Sequence, residues 1–231
     1  MLKRILALSI IITLAACGQK QEDTAVNPEK SSSSVANQGP FTDSQIEAES
    51  IRLNTWFDEK FEAETLKSPI LLSYLGRSER QDEWDDFSDE STNEYVARSI
   101  ANVTELKANF NYEKLSDVAK ISYDFWVYLA EQITAEDKFR NNGYIFEQMN
   151  AVHSLFPQVL ISMQRVEDAE GMENYIKRIS ATETAMDQLI AASKKNAETG
   201  VRPPYFSFES VINESTKIIS GAPFDSADDS A

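Results

Sequence analysis

The sequence predicts an all-α fold, a multi-helix array, on three observations. From residue 42 onward apolar residues recur at spacings of three and four, the period of one helix face. Only 7 glycines and 7 prolines occur in 231 residues, and long apolar periodicities run between them. No stretch alternates apolar and polar residues in the manner of a strand.

The elements follow in order. Thr42-Asp43-Ser44 opens a first helix, with Ser44 and Glu47 at capping-box spacing and Ile46, Leu53, Trp56, Phe57 and Phe61 on one face. Ser68-Pro69 begins a short second helix that Gly76 ends. Residues 82–89 are acidic, hold Trp84 and Phe87, and read as a loop. Tyr95, Val96, Ile100, Val103, Leu106 and Phe110 mark a third helix. Ser116 caps a fourth, whose apolar stripe is Val118, Ile121, Phe125, Tyr128, Leu129 and Ile133. Asn142-Gly143 signals a turn. Pro157 suits the first turn of a fifth helix through Val159, Leu160 and Met163. The sixth is the longest, over 168–198, with the stripe Met172, Tyr175, Ile176, Ile179, Met186, Leu189 and Ile190. Lys194 and Lys195 in its last turn and Gly200 at its stop suit the helix dipole and the C-cap. Pro203-Pro204 breaks the chain before a final helix carrying Phe208, Val211, Ile212, Ile218 and Ile219.

The first forty residues have another character. Lys3 and Arg4 precede an apolar run over 5–12, interrupted only by Ser9, and then Leu14-Ala15-Ala16-Cys17. A basic start, an apolar segment of about 7–15 residues and small residues before a cut define an export signal. The run is too short to span a membrane, which takes about 20 residues. The four residues ending at Cys17 resemble the lipobox of bacterial lipoproteins. That resemblance implies a signal peptide at 1–16 and lipid on the Cys17 thiol, the only cysteine in the chain. Two or more acyl chains anchor firmly where one does not. Gly18, rather than Asp, resembles the outer-membrane default, so the expected location is the outer membrane, facing the periplasm. Residues 17–41 carry the Ser31-Ser32-Ser33-Ser34 run and almost no large apolar side chain. They read as a disordered tether. The domain plan is then the signal peptide 1–16, the lipidated tether 17–41, the helical domain 42–225 and a polar tail 226–231.

Charge narrows the partners. The net charge is −16, and loss of Lys3 and Arg4 with the leader takes it to −18. Such a surface repels phosphate backbones, so no nucleic acid is expected, and membrane contact is expected through lipid alone.

The reactive groups are few. His153 is the only histidine, whereas a helical zinc site of the HExxH type needs two plus a further ligand. No G-x-S-x-G nucleophile elbow accompanies it. His153 therefore reads as a packed histidine at a helix entrance, bonded to backbone or to a nearby glutamate. Asp82-Glu83-Trp84-Asp85-Asp86 offers hard oxygen ligands for calcium but lacks the glycine-centred spacing of an EF-hand, and reads as a solvated loop. No catalytic residue, no metal ligand and no cofactor is expected in this chain.

Several stretches, taken in order, resemble one family. They are Arg52-Leu53-Asn54-Thr55-Trp56-Phe57-Asp58, Ser68-Pro69 with Tyr74-Leu75-Gly76, Gln81-Asp82-Glu83-Trp84-Asp85-Asp86, and the Leu115-Ser116 to Tyr123 stretch. His153-Ser154 with Pro157, Tyr175-Ile176-Lys177-Arg178-Ile179, Gly200-Val201-Arg202-Pro203-Pro204 and Ser220-Gly221-Ala222-Pro223-Phe224-Asp225 follow. Together, over about residues 45–231, they are similar to the amino-terminal part of the DUF 885 family of bacterial envelope proteins. The resemblance implies a helical zinc metallopeptidase-like ancestry, related to the thermostable carboxypeptidase group. Its HExxH zinc helix lies downstream of the matched region, so zinc belongs to the full-length parent. It also implies a groove for short peptides, with His153, Ser154, Pro203 and Pro204 as candidate lining. On this view the chain is the amino-terminal fragment of a longer protein, inactive and poorly stable alone, either a partial sequence or a gene cut by a frameshift or early stop. The alternative is a complete small helical lipoprotein that serves as a binding or assembly module in the envelope.

Overall fold

In the computed structural model the described residues are 40–149 and 152–220. The expected leader, Cys17, all but the end of the tether, and residues 221–231 lie outside them. Among the described residues every regular element is helical. These elements are α1 (Asp43–Thr65), α2 (Pro69–Tyr74), α3 (Asp89–Asn109), a 3-10 turn (Tyr112–Lys114), α4 (Asp117–Asp137), α5 (Val152–Ser162), α6 (Ala169–Glu198) and α7 (Tyr205–Ser220). The all-α array is therefore as the periodicity predicts.

Side-chain oxygens start most of these helices by accepting a backbone N–H that has no partner inside the helix. Ser68, Ser88, Ser116 and Asp168 each accept from the N–H three residues on. At α1 the capping box is Thr42 with Gln45, not Ser44 with Glu47. Thr42 Oγ1 accepts from the Gln45 N–H, and Gln45 Oε1 accepts from the Thr42 N–H at 3.0 Å. The helix starts one residue before Ser44, which leaves Ser44 inside its first turn. A second correction falls on α5. It begins at Val152, so Pro157 is interior rather than in the first turn. Having no N–H, Pro157 cannot bond the His153 carbonyl one turn back.

The helices enclose two apolar cores. Leu53 and Trp56 of α1, Leu106 of α3, Phe110, Leu115, and Ala119 and Tyr123 of α4 form the first. Trp56 lies edge-on to Phe57, Phe110 and Trp126, and its indole N–H donates to Glu105 Oε1 at 2.6 Å. Ile70 of α2, Trp84, Phe87, Phe156 and Val159 of α5, and Ala185 and Leu189 of α6 form the second. Trp84 meets Phe156 edge-on, with ring centroids 4.7 Å apart.

Two apolar stripes face differently from the expectation. On α4 the buried line is Ala119, Tyr123 and Ala130, while Val118 and Ile121 are 76% and 70% exposed and Tyr128 is also exposed. On α6 the buried line is Arg178, Ala185, Leu189 and Asn196, while Met172, Ile176, Ile179 and Ile190 are exposed. Both helices are apolar on more than one side, and on α4 the small Ala119 and Ala130 lie on the side that packs. No helix among the described residues is long and apolar enough to cross a membrane.

Candidate functional site

The segment between α2 and α3 is where the second core gains its polar centre. Residues 82–89 read as a solvated loop in sequence, yet Trp84 and Phe87 turn inward and are buried. Asp85 is half-buried with them. Its carboxylate accepts the Ser68 hydroxyl at 2.7 Å and the Ile70 N–H at 2.9 Å, closing the N-terminus of α2 from outside the helix. Burial pushes the Asp85 carboxyl above the usual aspartate range, and those two bonds with the charge of Arg178 oppose the rise.

Arg178 of α6 is 0% exposed. Its guanidinium donates to the Glu83 carbonyl at 2.8 Å, Ser73 Oγ at 2.8 Å, Gln164 Oε1 at 3.2 Å and the Pro69 carbonyl at 3.0 Å. The plane lies over Trp84, 4.7 Å from the ring centroid, and the Trp84 indole N–H returns a bond to the Arg178 carbonyl at 2.8 Å. Every acceptor is neutral, so the charge is held by oriented dipoles rather than by a carboxylate in contact. Desolvation lowers the Arg178 pKa to about 10, against the pull of Asp85, Asp82 and Glu83. Sequence reasoning missed this centre because an arginine does not count toward an apolar stripe. The available signal was register, since Arg178 lies seven residues before Ala185 and eleven before Leu189, on one helical face.

His153 occupies the second position of α5 and is buried. Its Nε2 lies 2.8 Å from Glu214 Oε2 of α7, and its ring tilts against Phe146 with centroids 6.2 Å apart. The buried Nδ1 has no hydrogen-bond partner among the described residues. Ser154, the next residue, is exposed. Pro203 is half-buried and Pro204 exposed at the entrance to α7, where the Pro204 carbonyl accepts the Ser207 N–H at 3.0 Å. From Pro204 to Glu214 is ten residues of helix, about 15 Å. Of the four candidate groove residues, His153 and the two prolines thus border α7, but at separate parts of it.

A model of the family described as "Bacterial protein of unknown function (DUF885)" matches residues 69–231, more than half of the chain. The chain belongs to this family. The match takes in the whole second core, with Arg178, Asp85 and His153, and begins after α1, so Arg52 to Asp58 lie upstream of it. No curated protein and no solved structure matches.

The wider resemblance implies zinc only in the full-length parent, downstream of these residues. Zinc takes three or four protein ligands, whereas the described residues hold no group of three His, Cys, Asp or Glu side chains placed to share an ion. The one histidine is bonded to one glutamate.

A shallow, largely apolar dish of about 410 Å³ lies between α3 and α4, lined by Ile100, Val103, Lys107, Ala130 and Glu131 among others.

Proposed function

We propose that this DUF885 chain is a lipid-anchored protein of the bacterial envelope. Its helices form the amino-terminal wall of a zinc metallopeptidase-like protein and do not carry the metal chemistry themselves. One observation supports the wall reading above the others, the rows of large apolar side chains left facing solvent. Val118, Ile121 and Tyr128 line α4, and Met172, Ile176 and Ile179 line α6. Exposed apolar rows of this kind mark surfaces meant to be covered. Covering apolar surface contributes about 25 cal/mol per Å². The occupant proposed for these rows is the catalytic portion of the same fold, which would supply the zinc helix and close a groove for short peptides.

Anchoring rests on Leu14-Ala15-Ala16-Cys17 and on the basic and apolar segments before it. Growth of expressing cells with a labelled fatty acid, followed by membrane fractionation, tests it. The chain is expected in the outer-membrane fraction with label, and Cys17→Ala is expected unlabelled and released from the membrane. Label-free wild-type protein in the soluble fraction would remove the anchor from the reading.

A further inference from the structure

We propose that α7 is a hinged lid over the chain's only histidine, pinned shut by the His153–Glu214 contact. Only Ser207 of α7 is buried. Tyr205 and Ile219 stand 90% and 85% exposed, and Phe206, Phe208, Ile212 and Ile218 are exposed as well. The helix therefore gains little from apolar packing. Among the described residues it is fastened instead by two side-chain contacts to the body, Ser207 Oγ to Gln148 Oε1 and Glu214 Oε2 to His153 Nε2. These residues are seven apart, two turns along one face, about 10 Å of helix. A segment with few buried contacts and exposed side chains opens at lower cost than the body it rests on.

The hinge lies in the link from α6. Gly200 has φ +87, with open space around the position a side chain would take. Beyond it Pro203 and Pro204 stiffen the approach to the lid. The exposures at the pin are unequal: the His153 side chain is 4% exposed and that of Glu214 42%. Glu214 therefore sits at the rim, while the imidazole lies beneath it against Phe146. Lifting α7 frees Nε2 and opens the pocket that holds Nδ1, whose buried position has no partner among the described residues. The lid thus determines when both imidazole nitrogens can be reached.

With one histidine in the chain, acylation by diethyl pyrocarbonate, followed by the absorbance of N-carbethoxyimidazole, reports on His153 alone. Amide hydrogen exchange over 205–220 reports on the lid. In the full chain, His153 is expected to react far more slowly than in the urea-unfolded protein. Glu214→Ala is expected to raise both the acylation rate and α7 exchange by about 10- to 100-fold, the worth of a hydrogen bond to a charged group. Exchange in α1 to α4 should stay unchanged. Glu214→Gln keeps an oxygen that can accept the Nε2–H and should remain within a few-fold of wild type, while Glu209→Ala, on the same helix, should do nothing. Faster acylation without faster exchange in α7 would make Glu214 a local shield and overturn the lid. So would equal loosening of all helices, no change in either readout, or a wild-type His153 as reactive as in urea.

Discussion

Arg178 is the residue on which the second core depends most. Its four bonds reach α2, the segment before α3 and Gln164 after α5, so one side chain ties three parts of the chain to α6. Arg178→Met keeps much of the volume and removes every donor, leaving buried carbonyl and side-chain oxygens unpaired. A loss of about 2–4 kcal/mol is expected in urea denaturation. Arg178→Lys keeps the charge but not the planar fork, and a loss of about 1–2 kcal/mol is expected. A loss below 0.5 kcal/mol for the methionine variant, the scatter of ordinary surface changes, would show that the bonds are not what holds the region. Asp85→Ala belongs to the same site. It removes the acceptor for the Ser68 hydroxyl and the Ile70 N–H at the start of α2, and about 1 kcal/mol is expected by the same assay.

The helices themselves respond to different substitutions on different faces. Leu106 of α3 is fully buried in the first core, and Leu106→Ala is expected to cost about 2–5 kcal/mol. The double change Val118→Thr and Ile121→Gln on the exposed row of α4 is expected to alter stability by less than about 0.5 kcal/mol. It should also lower the binding of a hydrophobic dye. A large stability loss from that pair would place the row in the core after all. The contrast also shows what could be read from sequence. Helix positions were legible because period, caps and breakers agree, as at Ser116, Asp168 and Gly200. The inward face of α4 was not legible, because Val118 and Ile121 lie on one side and Ala119, Tyr123, Trp126 and Val127 on another. Hydrophobicity ranks the first set higher, whereas close packing of α4 against α1 and α3 selects the small Ala119 and Ala130. The inward turn of residues 82–89 was hidden for a similar reason. Five acidic residues dominate its composition, while Trp84, Phe87 and the Asp85 bonds to α2 decide where it lies. Of the candidate site, His153 and a glutamate partner were legible as a type of contact. Glu214 was not, since the two are brought together only by the return of α7.

At the scale of the whole molecule, acid should unfold this protein through its glutamates. Glu49 beside Arg52, Glu62 and Glu79 beside Arg77, Glu83 beside Arg80, and Glu105 beside Lys60 and Trp56 all lie below the ordinary 4.5, chiefly because each accepts hydrogen bonds from those donors. A lowered folded-state pKa means that the unfolded chain takes up protons first as pH falls. The contribution is therefore complete above pH 4.5 and is lost as pH drops through the lowered values. Asp85 acts the other way, since its raised pKa lets the folded state hold a proton above the ordinary 3.8. With five groups against one, the melting temperature is expected to fall steadily below pH 4.5. A flat profile from pH 5 to 3 would show that these ion pairs add nothing to the fold.

The same scale holds the functional claim, that an anchored helical wall supports metal chemistry placed outside it. Hydrolysis of short peptides by purified residues 17–231, with and without added zinc, measures this directly. Turnover equal to the blank under both conditions is expected. Turnover that appears with zinc and disappears on chelation would contradict it.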